Sequence, residues 1–188
     1  MTRIIAGRAG GRRLATPRGD RTRPTSDRTR EALFSALAAR AGGLEDTVFL
    51  DLFAGSGAVG LEAWSRGAAR VRLVEHDRAT AALIRRNAAS IGCAVADVVA
   101  ATVSSALARP VDLAVDVAFL DPPYPRTEEE VAEDLRALVP WLAPDAAVLV
   151  ERSRRSPEPT WPPGLEAVRS KVYGETTVWF AHWYGHAP

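Results

Sequence analysis

Cysteine is nearly absent from the sequence, since Cys93 is the only one in 188 residues. A single thiol excludes an internal disulfide framework and any metal site built from several cysteines. No apolar run approaches the roughly 20 residues that a transmembrane helix needs, and the N-terminus lacks the continuous apolar segment of a secretory signal. His182 and His186 have no partner motif for metal binding. We expect a globular protein of the reducing cytosol, with no membrane span and no metal.

Lysine is scarce as well, since Lys171 stands alone beside 23 arginines. Codon bias explains that ratio, because the chain also contains 34 alanines, but it does not explain where the charge lies. Residues 1–30 contain nine arginines and two acids, whereas the remaining 158 residues contain fifteen bases and twenty-one acids. The net charge of +1 therefore divides into +7 and −6. A basic segment on an acidic body is typical of a protein that binds a polyanion, most often nucleic acid.

The chain from residue 47 onward alternates between strand-like and helical segments. Apolar runs bounded by turn residues predict strands at 48–52, 71–75, 95–100, 115–120 and 146–151. Apolar residues at helical spacing predict helices at 59–66, 78–91 and 128–138. Two β-rich runs predict a terminal hairpin at 165–173 and 176–184. The alternation predicts an α/β fold whose mostly parallel sheet has helices on both faces and an antiparallel hairpin at one edge.

The first 26 residues are expected to form an arm that precedes the body. Two short strand-like runs, 3–6 and 12–15, surround three glycines and predict a small β-hairpin. A polar, proline-containing connection follows, and a helix is expected to start near Ser26. We therefore divide the chain into a basic arm with its linker, residues 1–26, and a body, residues 27–188. The alternative to a nucleic-acid role is that the hairpin only covers a hydrophobic edge through Ile4, Ile5 and Leu14.

A glycine-rich segment follows the first predicted strand of the body and precedes a helix. Gly55-x-Gly57-x-x-Gly60 lets the backbone turn sharply and approach a ligand closely. Glu75 ends the next strand, where a carboxylate can accept hydrogen bonds from both hydroxyls of a ribose. This pattern fits the dinucleotide fingerprint of NAD enzymes, and it fits S-adenosylmethionine, which shares the adenosine. Asp51 favours S-adenosylmethionine, because it could face an ammonium group, whereas a pyrophosphate would gain nothing from a carboxylate.

A second signal, Asp121-Pro122-Pro123-Tyr124, follows the predicted strand at 115–120. In open α/β sheets the carboxyl ends of the strands form the edge that binds ligands. Asp121 and the Pro122 carbonyl offer two acceptors, which suit an exocyclic amino group with its two N–H bonds. Tyr124 offers an aromatic face on which a displaced base can stack. The alternative is a strand-to-loop turn with an incidental aromatic residue.

Together these segments resemble a known family. LDLFAGSGAVGLEAWSRGA, VEHD and DPPY are similar to class I methyltransferases that modify the exocyclic amines of bases. RIIAGRAGGRRL, RPTSDRTREALFSAL and YGETTVWF are similar to the RsmD family, bacterial enzymes that methylate N2 of a guanine in 16S ribosomal RNA. The resemblance covers nearly the whole chain. It implies a Rossmann-like, seven-stranded sheet, S-adenosylmethionine as donor, and 16S ribosomal RNA in the small subunit or an assembly intermediate as partner.

The residues and the resemblance together predict three groups of functional residues, and the resemblance implies that the body, residues 27–188, is the methyltransferase domain. The cofactor site comprises Asp51, Phe53, Ala54, Gly55, Ser56, Gly57 and Glu75, bordered by His76, Thr102 and Val103. The target amine meets Asp121, Pro122, Pro123 and Tyr124. The basic charge of the arm predicts RNA binding by Arg3, Arg8, Arg12, Arg13 and Arg18, and the resemblance adds Arg23 and Arg28 near the mouth of the site.

Two of these positions leave alternatives open. Family members often have an acid or an amide near the adenine amino group where this chain has Thr102, so a backbone contact would have to replace the side chain. His76 follows Glu75 and borders the cofactor pocket, or it is a half-buried structural histidine. The reaction implied is direct methyl transfer, in which the amine attacks in line with the departing sulfur and no metal or covalent intermediate takes part.

Three other functions compete with ribosomal RNA guanine-N2 methylation. A DNA methyltransferase acting on adenine N6 or cytosine N4 would use a similar DPPY segment, but 188 residues leave little room for a target-recognition region. An NAD-dependent oxidoreductase would use the glycine loop and leave DPPY unexplained. A non-catalytic RNA-binding assembly factor would keep a vestigial cofactor pocket and transfer no methyl group.

Overall fold

One seven-stranded sheet dominates the computed structural model, which describes residues 2–17, 27–39, 43–123 and 125–185. Its strands are β3 (Val48–Asp51), β4 (Arg70–Glu75), β5 (Ala96–Ala100), β6 (Val115–Leu120), β7 (Leu142–Ser153), β8 (Leu165–Tyr173) and β9 (Thr176–Trp183). The strand order is β5-β4-β3-β6-β7-β9-β8. β3 to β7 pair in parallel, and β8 and β9 add an antiparallel edge. The predicted fold class is thereby confirmed.

Five α-helices occur in the described residues: α1 (Asp27–Ala38), α2 (Ala58–Ser65), α3 (Arg78–Ile91), α4 (Val103–Leu107) and α5 (Glu128–Leu138). Their ends are set by local chemistry. Asp77 caps α3 by accepting from the Thr80 N–H at 2.7 Å, and the left-handed Gly92 ends that helix. Thr127 and Glu130 form a reciprocal capping box on α5. No helix among the described residues is long and apolar enough to cross a membrane.

Two apolar layers flank the sheet. On one face, the arm and helices α1 to α3 pack against β3, β4 and β6, with the Phe34 and Phe49 rings 6.3 Å apart. On the other face, α4 and α5 bury residues such as Leu120 and Leu135. Because the parallel strands are covered on both faces, their apolar runs are nearly continuous. This sandwich holds the carboxyl ends of the strands in fixed relative positions.

The N-terminal hairpin is docked on the body. Its strands β1 (Thr2–Arg3) and β2 (Arg13–Leu14) pair antiparallel and are shorter than predicted. Ile4 and Leu14 are fully buried in the same apolar cluster as the body helices. The buried carboxylate of Glu62 in α2 accepts hydrogen bonds from the N–H groups of Ile5 at 2.6 Å and Ala6 at 3.0 Å. The described part of the arm therefore shares its core with the body.

Candidate cofactor and target-amine site

Three carboxylates lie at the carboxyl ends of three adjacent strands. Asp51 ends β3, Glu75 ends β4, and Asp121 directly follows β6. The chain crosses over between β3 and β6, where the strand order reverses, and such a switch point opens a crevice at the sheet edge. The glycine loop and the DPPY segment therefore meet at one place, as the sequence predicted from their positions after strands.

The glycine loop is tied to the strand beside it. Ala54 N–H donates to the Val74 carbonyl at 3.0 Å, and Gly55 N–H donates to Oε2 of Glu75 at 3.0 Å. Gly55 has a φ of +53°, and apart from its two chain neighbours no atom of the described residues lies within 4 Å of where its Cβ would stand. Glycine is favoured at that φ, and the open space beside it leaves room for a ligand against the backbone.

Asp51 is buried beneath this loop. Its Oδ2 accepts from the N–H of Gly60 at 3.0 Å, whereas its Oδ1 is buried and has no hydrogen-bond partner among the described residues. Gly60 is needed for close packing, since a Cβ there would lie 2.7 Å from Cδ2 of Leu73. The pKa of Asp51 is raised to about 7, mainly by burial and also by the carboxylates of Asp121 and Glu75, which together outweigh the opposing effect of backbone N–H groups.

Glu75 is nearly buried and organises the turn after β4. Oε1 accepts from the Asp77 N–H at 2.8 Å, and Oε2 accepts from Gly55 as described. Each carboxylate oxygen keeps a second lone pair for a ligand hydroxyl. His76 Nδ1 lies 3.0 Å from Glu75 Oε1, but its imidazole is 74% exposed. The alternative of a half-buried structural histidine is therefore wrong. His76 lies on the surface beside Glu75, and its contact with the cofactor stays a prediction.

Arg126 contacts the DPPY segment and stabilises it. Pro122 is buried and Pro123 is exposed, and the Pro123 carbonyl accepts from the Arg126 N–H at 2.9 Å. The Arg126 guanidinium lies 5.5 Å from the centre of the Phe53 ring in the glycine loop. It also makes two hydrogen bonds to Asp134, of 2.8 and 2.7 Å. One arginine thus contacts both predicted segments. Tyr124 lies outside the described residues.

The model of the family described as conserved hypothetical protein 95 matches residues 2–182. The chain belongs to the RsmD family. It is 40% identical over 173 residues to ribosomal RNA small subunit methyltransferase D of Escherichia coli K12, covering 92% of this chain and 85% of that protein. The solved structure of the putative methyltransferase yhhF from Escherichia coli has a TM-score of 0.84 at 38% identity and 97% coverage of both chains.

A more distant structure shares only the fold. An RNA methyltransferase from Salinibacter ruber, solved with S-adenosyl-L-homocysteine, has a TM-score of 0.64 at 19% identity, covering 88% of this chain and 96% of that one. As a member of the RsmD family, the chain is a class I methyltransferase that uses S-adenosylmethionine.

The carboxyl edge fits the cofactor of the RsmD family better than it fits a dinucleotide. S-adenosylmethionine carries positive charge on its sulfur and its ammonium, whereas NAD would bring a pyrophosphate dianion toward the carboxylates of Asp51, Glu75 and Asp121. The unpaired, buried Oδ1 of Asp51 is the kind of acceptor that an ammonium group would satisfy. Open space at Gly55 and the spare lone pairs of Glu75 suit a ribose. We propose these residues as the cofactor contacts.

Asp51→Asn is expected to raise the melting temperature of the ligand-free chain and to weaken cofactor binding. The pKa of Asp51 is about 7 in the fold against an ordinary 3.8, so the folded chain holds a proton that the unfolded chain releases. The stability from this group is complete below about pH 4 and is lost as the pH rises through about 7. Asparagine does not ionise, so the variant keeps this stability at high pH. Its melting temperature should therefore exceed that of the wild type at about pH 8.

Cofactor affinity supplies the second measurement on Asp51→Asn. Binding should weaken roughly 10- to 100-fold, because a charged partner of the ammonium is lost. Wild-type affinity should also fall as the pH drops from about 8 to about 6, where Asp51 takes up a proton, and the variant should lose this dependence. Calorimetric titration at several pH values checks both, and equal pH profiles for the two proteins would contradict the assignment.

The side chain of Thr102 caps the helix that follows it. Its hydroxyl caps α4 by accepting from the Ser105 N–H at 3.2 Å, and it lies 3.2 Å from the Ser104 hydroxyl. Val103 is buried at the start of α4. The side-chain oxygen therefore serves the cap, which supports a backbone contact at this position for the adenine of the cofactor. The role of Thr102 and Val103 in adenine binding stays a prediction.

The outer surface of the arm is basic. Arg8 stacks 5.2 Å from the centre of the Trp64 ring, and Arg12 donates to the Ser90 carbonyl at 2.6 Å. Both guanidinium groups belong to exposed residues, as does Arg13. Each of the first two guanidinium groups is held by one contact and belongs to an exposed residue, so RNA binding by these arginines stays a prediction.

Of the remaining predicted RNA contacts, Arg3 lies in β1, Arg28 lies in α1, and two lie outside the described residues. Arg3 Nε lies 3.3 Å from Asp27 Oδ2, at the start of α1. Arg28 is exposed on the same helix. Arg18 and Arg23 lie outside the described residues. The structure thus brings Arg3 beside α1, near the end of the linker.

Arg126 and its partner were missed by sequence reasoning. The sequence predicts a helix with an acidic face at 128–138, whereas Asp134 in it is buried. The available signal was an acid, Asp134, directly beside Leu135 on the side of that helix that carries Val131, preceded by an arginine two positions beyond DPPY. Buried acids are almost always paired, so this pattern could have predicted the contact.

Proposed function

We propose that this chain transfers a methyl group from S-adenosylmethionine to the exocyclic N2 of a guanine in 16S ribosomal RNA. The substrate is the small ribosomal subunit or an assembly intermediate, and the site of action is the cytoplasm. Ribosomal RNA methylation is supported by membership of the RsmD family. The observation that carries the choice of an exocyclic amine is the position of Asp121-Pro122 beside Asp51 and Glu75, at neighbouring strand ends.

The two acceptors of this segment suit an amino group. Asp121 is partly exposed at the end of β6, and Pro122 is buried directly after it. Because a proline ring restricts the backbone, and the next carbonyl is held by Arg126, the Pro122 carbonyl has little freedom to turn away. A guanine amine placed here would donate one N–H to Asp121 and the other to that carbonyl. A rigid pair of acceptors selects an –NH₂ group over a ring nitrogen or a carbonyl.

Bound S-adenosylmethionine supplies a methyl group that is electrophilic because its sulfur is positively charged. The residues of the chain act on the other reactant. The N2 lone pair of guanine is delocalised into the ring, and hydrogen bonds from both N–H groups to Asp121 and Pro122 favour a pyramidal nitrogen on which the lone pair is available. The negative charge of Asp121 stabilises the positive charge that develops on that nitrogen. Positioning and electrostatics therefore account for the acceleration.

Labelled methyl transfer followed by nucleoside analysis tests this function. Small subunits, assembly intermediates, naked 16S RNA and duplex DNA are offered in parallel, and N2-methylguanosine in a ribosomal substrate is the expected product. Methyladenine or methylcytosine in the DNA would identify the chain as a DNA methyltransferase. No transfer to any of them, with intact cofactor binding, would indicate an assembly factor. Binding of NAD without S-adenosylmethionine would contradict the cofactor itself.

The basic arm is proposed to hold the RNA while its apolar side packs on the body. Ile4 and Leu14 are fully buried, so the hairpin does cover apolar surface, as the alternative interpretation required. That role does not explain the exposed arginines on its other side. One hairpin can therefore do both, with its apolar side packed on the body and its arginine-bearing side free to bind RNA.

Replacing Arg12 and Arg13 together with alanine should weaken RNA binding and flatten its salt dependence. Each phosphate contact that is lost should reduce the slope of log affinity against log salt by roughly 0.7, the value for single strands. Filter binding across a salt series measures the slope. The matched control removes Arg70 and Arg109, two exposed arginines of the body. An equal slope for wild type and the Arg12/Arg13 variant would refute the clamp.

A further inference from the structure

Asn87 is the only side-chain amide in the chain, which contains no glutamine. It lies in α3 and is 4% exposed. Its Oδ1 accepts from the Ala15 N–H at 2.9 Å, while its Nδ2 donates to the Ala15 carbonyl at 2.9 Å and to the Ser56 carbonyl at 3.0 Å. One buried side chain thus joins the arm to the glycine loop of the cofactor site.

The three contacts require the chemistry of a carboxamide. A carboxamide has two N–H bonds to donate and an oxygen that accepts, and Asn87 meets one donor and two acceptors. Aspartate at this position would place a carboxylate oxygen against the carbonyl oxygens of Ala15 and Ser56, which repel it. An aliphatic residue would leave three backbone groups without a partner: the Ala15 N–H and the carbonyls of Ala15 and Ser56. Buried polar groups without partners are costly, so this position constrains both segments at once.

The two segments have different proposed partners. Ser56 lies between Gly55, whose N–H is held by Glu75, and Gly57, which begins the α2 turn. Ala15 follows the strand that contains Arg13 and leads into the linker. A displacement of the loop at Ser56 or of the arm at Ala15 must break a contact to the same amide. Binding at one segment therefore changes the free energy of ordering the other.

We propose that Asn87 is a positioning residue that couples the arm to the cofactor loop. It holds Ser56 in the conformation that receives S-adenosylmethionine and holds Ala15 so that the arginines of the arm face outward. Cofactor binding then orders the arm, and an arm held by substrate orders the loop. The half of this inference that concerns RNA rests on the proposed function, whereas the coupling between loop and arm does not.

The first test measures binding of S-adenosyl-L-homocysteine by calorimetry to the full-length chain. Asn87→Ala and Asn87→Asp should each raise the dissociation constant about tenfold, because the loop loses a buried anchor. The matched control is Ile91→Ala, which removes buried apolar atoms one turn further along α3 from a side chain that forms no hydrogen bonds. It should lower the melting temperature at least as much and leave the dissociation constant unchanged at temperatures where it is folded.

The second test follows backbone amide exchange in residues 2–17. In the wild type and in Ile91→Ala, adding S-adenosyl-L-homocysteine should slow exchange in this segment, although no arm residue is a proposed cofactor contact. In Asn87→Ala the slowing should be absent. Equal ligand effects in all three proteins, or equal weakening by Ile91→Ala, would overturn the coupling. A chain that shows the coupling but methylates no ribosomal RNA would overturn the proposed function alone.

Discussion

Asp121→Ala is expected to lower methyl transfer by at least roughly 10³-fold while leaving S-adenosylmethionine binding within a few-fold of wild type. The proposed contact of Asp121 is the target amine, so its loss affects the transition state more than the ground state of the cofactor complex. Asp121 also lies close enough to Asp51 to raise its pKa. Without Asp121 the pKa of Asp51 is lower, so Asp51 is more fully ionised and binds the ammonium of the cofactor better. This gain offsets part of any loss in cofactor affinity. Single-turnover methyl transfer with saturating cofactor measures the effect.

Asp121→Asn separates the two properties of this side chain. The amide keeps an acceptor oxygen for one N–H of guanine but loses the negative charge that stabilises the charged nitrogen. It should therefore retain more activity than Asp121→Ala and less than wild type. Calorimetry with S-adenosyl-L-homocysteine reports whether the cofactor site is intact in both variants. Wild-type turnover in Asp121→Ala would remove this residue from the mechanism.

Glu75→Ala should show the opposite pattern, with weak cofactor binding as the primary defect. The carboxylate holds the N–H groups of Gly55 and Asp77, so its loss loosens the glycine loop and also removes the proposed ribose acceptor. We expect binding to weaken by about 1.5–3 kcal/mol, or roughly 10- to 150-fold, the range for hydrogen bonds to a charged group. Turnover at saturating cofactor should fall much less than in Asp121→Ala. Titration calorimetry and initial rates over a range of cofactor concentrations distinguish these effects.

A control for Glu75→Ala is Glu45→Ala, which removes an exposed carboxylate just before β3, at the opposite edge of the sheet. The net charge changes equally in the two variants, so a general electrostatic effect on the cationic cofactor would appear in both. An unchanged dissociation constant in Glu75→Ala, or equal weakening in both variants, would count against the ribose role.

Elements with strong local signals were predicted closely. The observed α3 and β6 have the predicted bounds, 78–91 and 115–120, because each is a clear periodic or apolar run between residues that end it. β7 was predicted at 146–151 and extends over Leu142–Ser153. Pro144 disfavours a strand in sequence reasoning, but the pairing of β6 with β7 shifts register between Val115 and Val117. An irregularity of that kind accommodates a proline and the positive φ of Asp145.

The missed features depend on contacts between distant residues. α4 has only five residues, too few for a periodic pattern to be recognised. Arg126 acts through a ring in the glycine loop and an acid in the next helix, and Asn87 acts through Ala15, 72 residues earlier. Sequence patterns indicated which segments carry the chemistry and at which sheet edge they meet. They did not indicate which side chains hold those segments in place, because that choice depends on packing.

The docking of the hairpin sets an order of events during synthesis. Ile5 finds its acceptor 57 residues later, in Glu62, and Ala15 finds its partner 72 residues later, in Asn87. At translation rates of roughly 5–20 residues per second, Ala15 waits roughly 4–14 s after its own synthesis for the residue that will hold it. During that interval Ile4 and Leu14 are exposed to water, and the arginines around them keep the nascent segment hydrated and mutually repelling. The hairpin is thus synthesised well before the residues that allow it to dock.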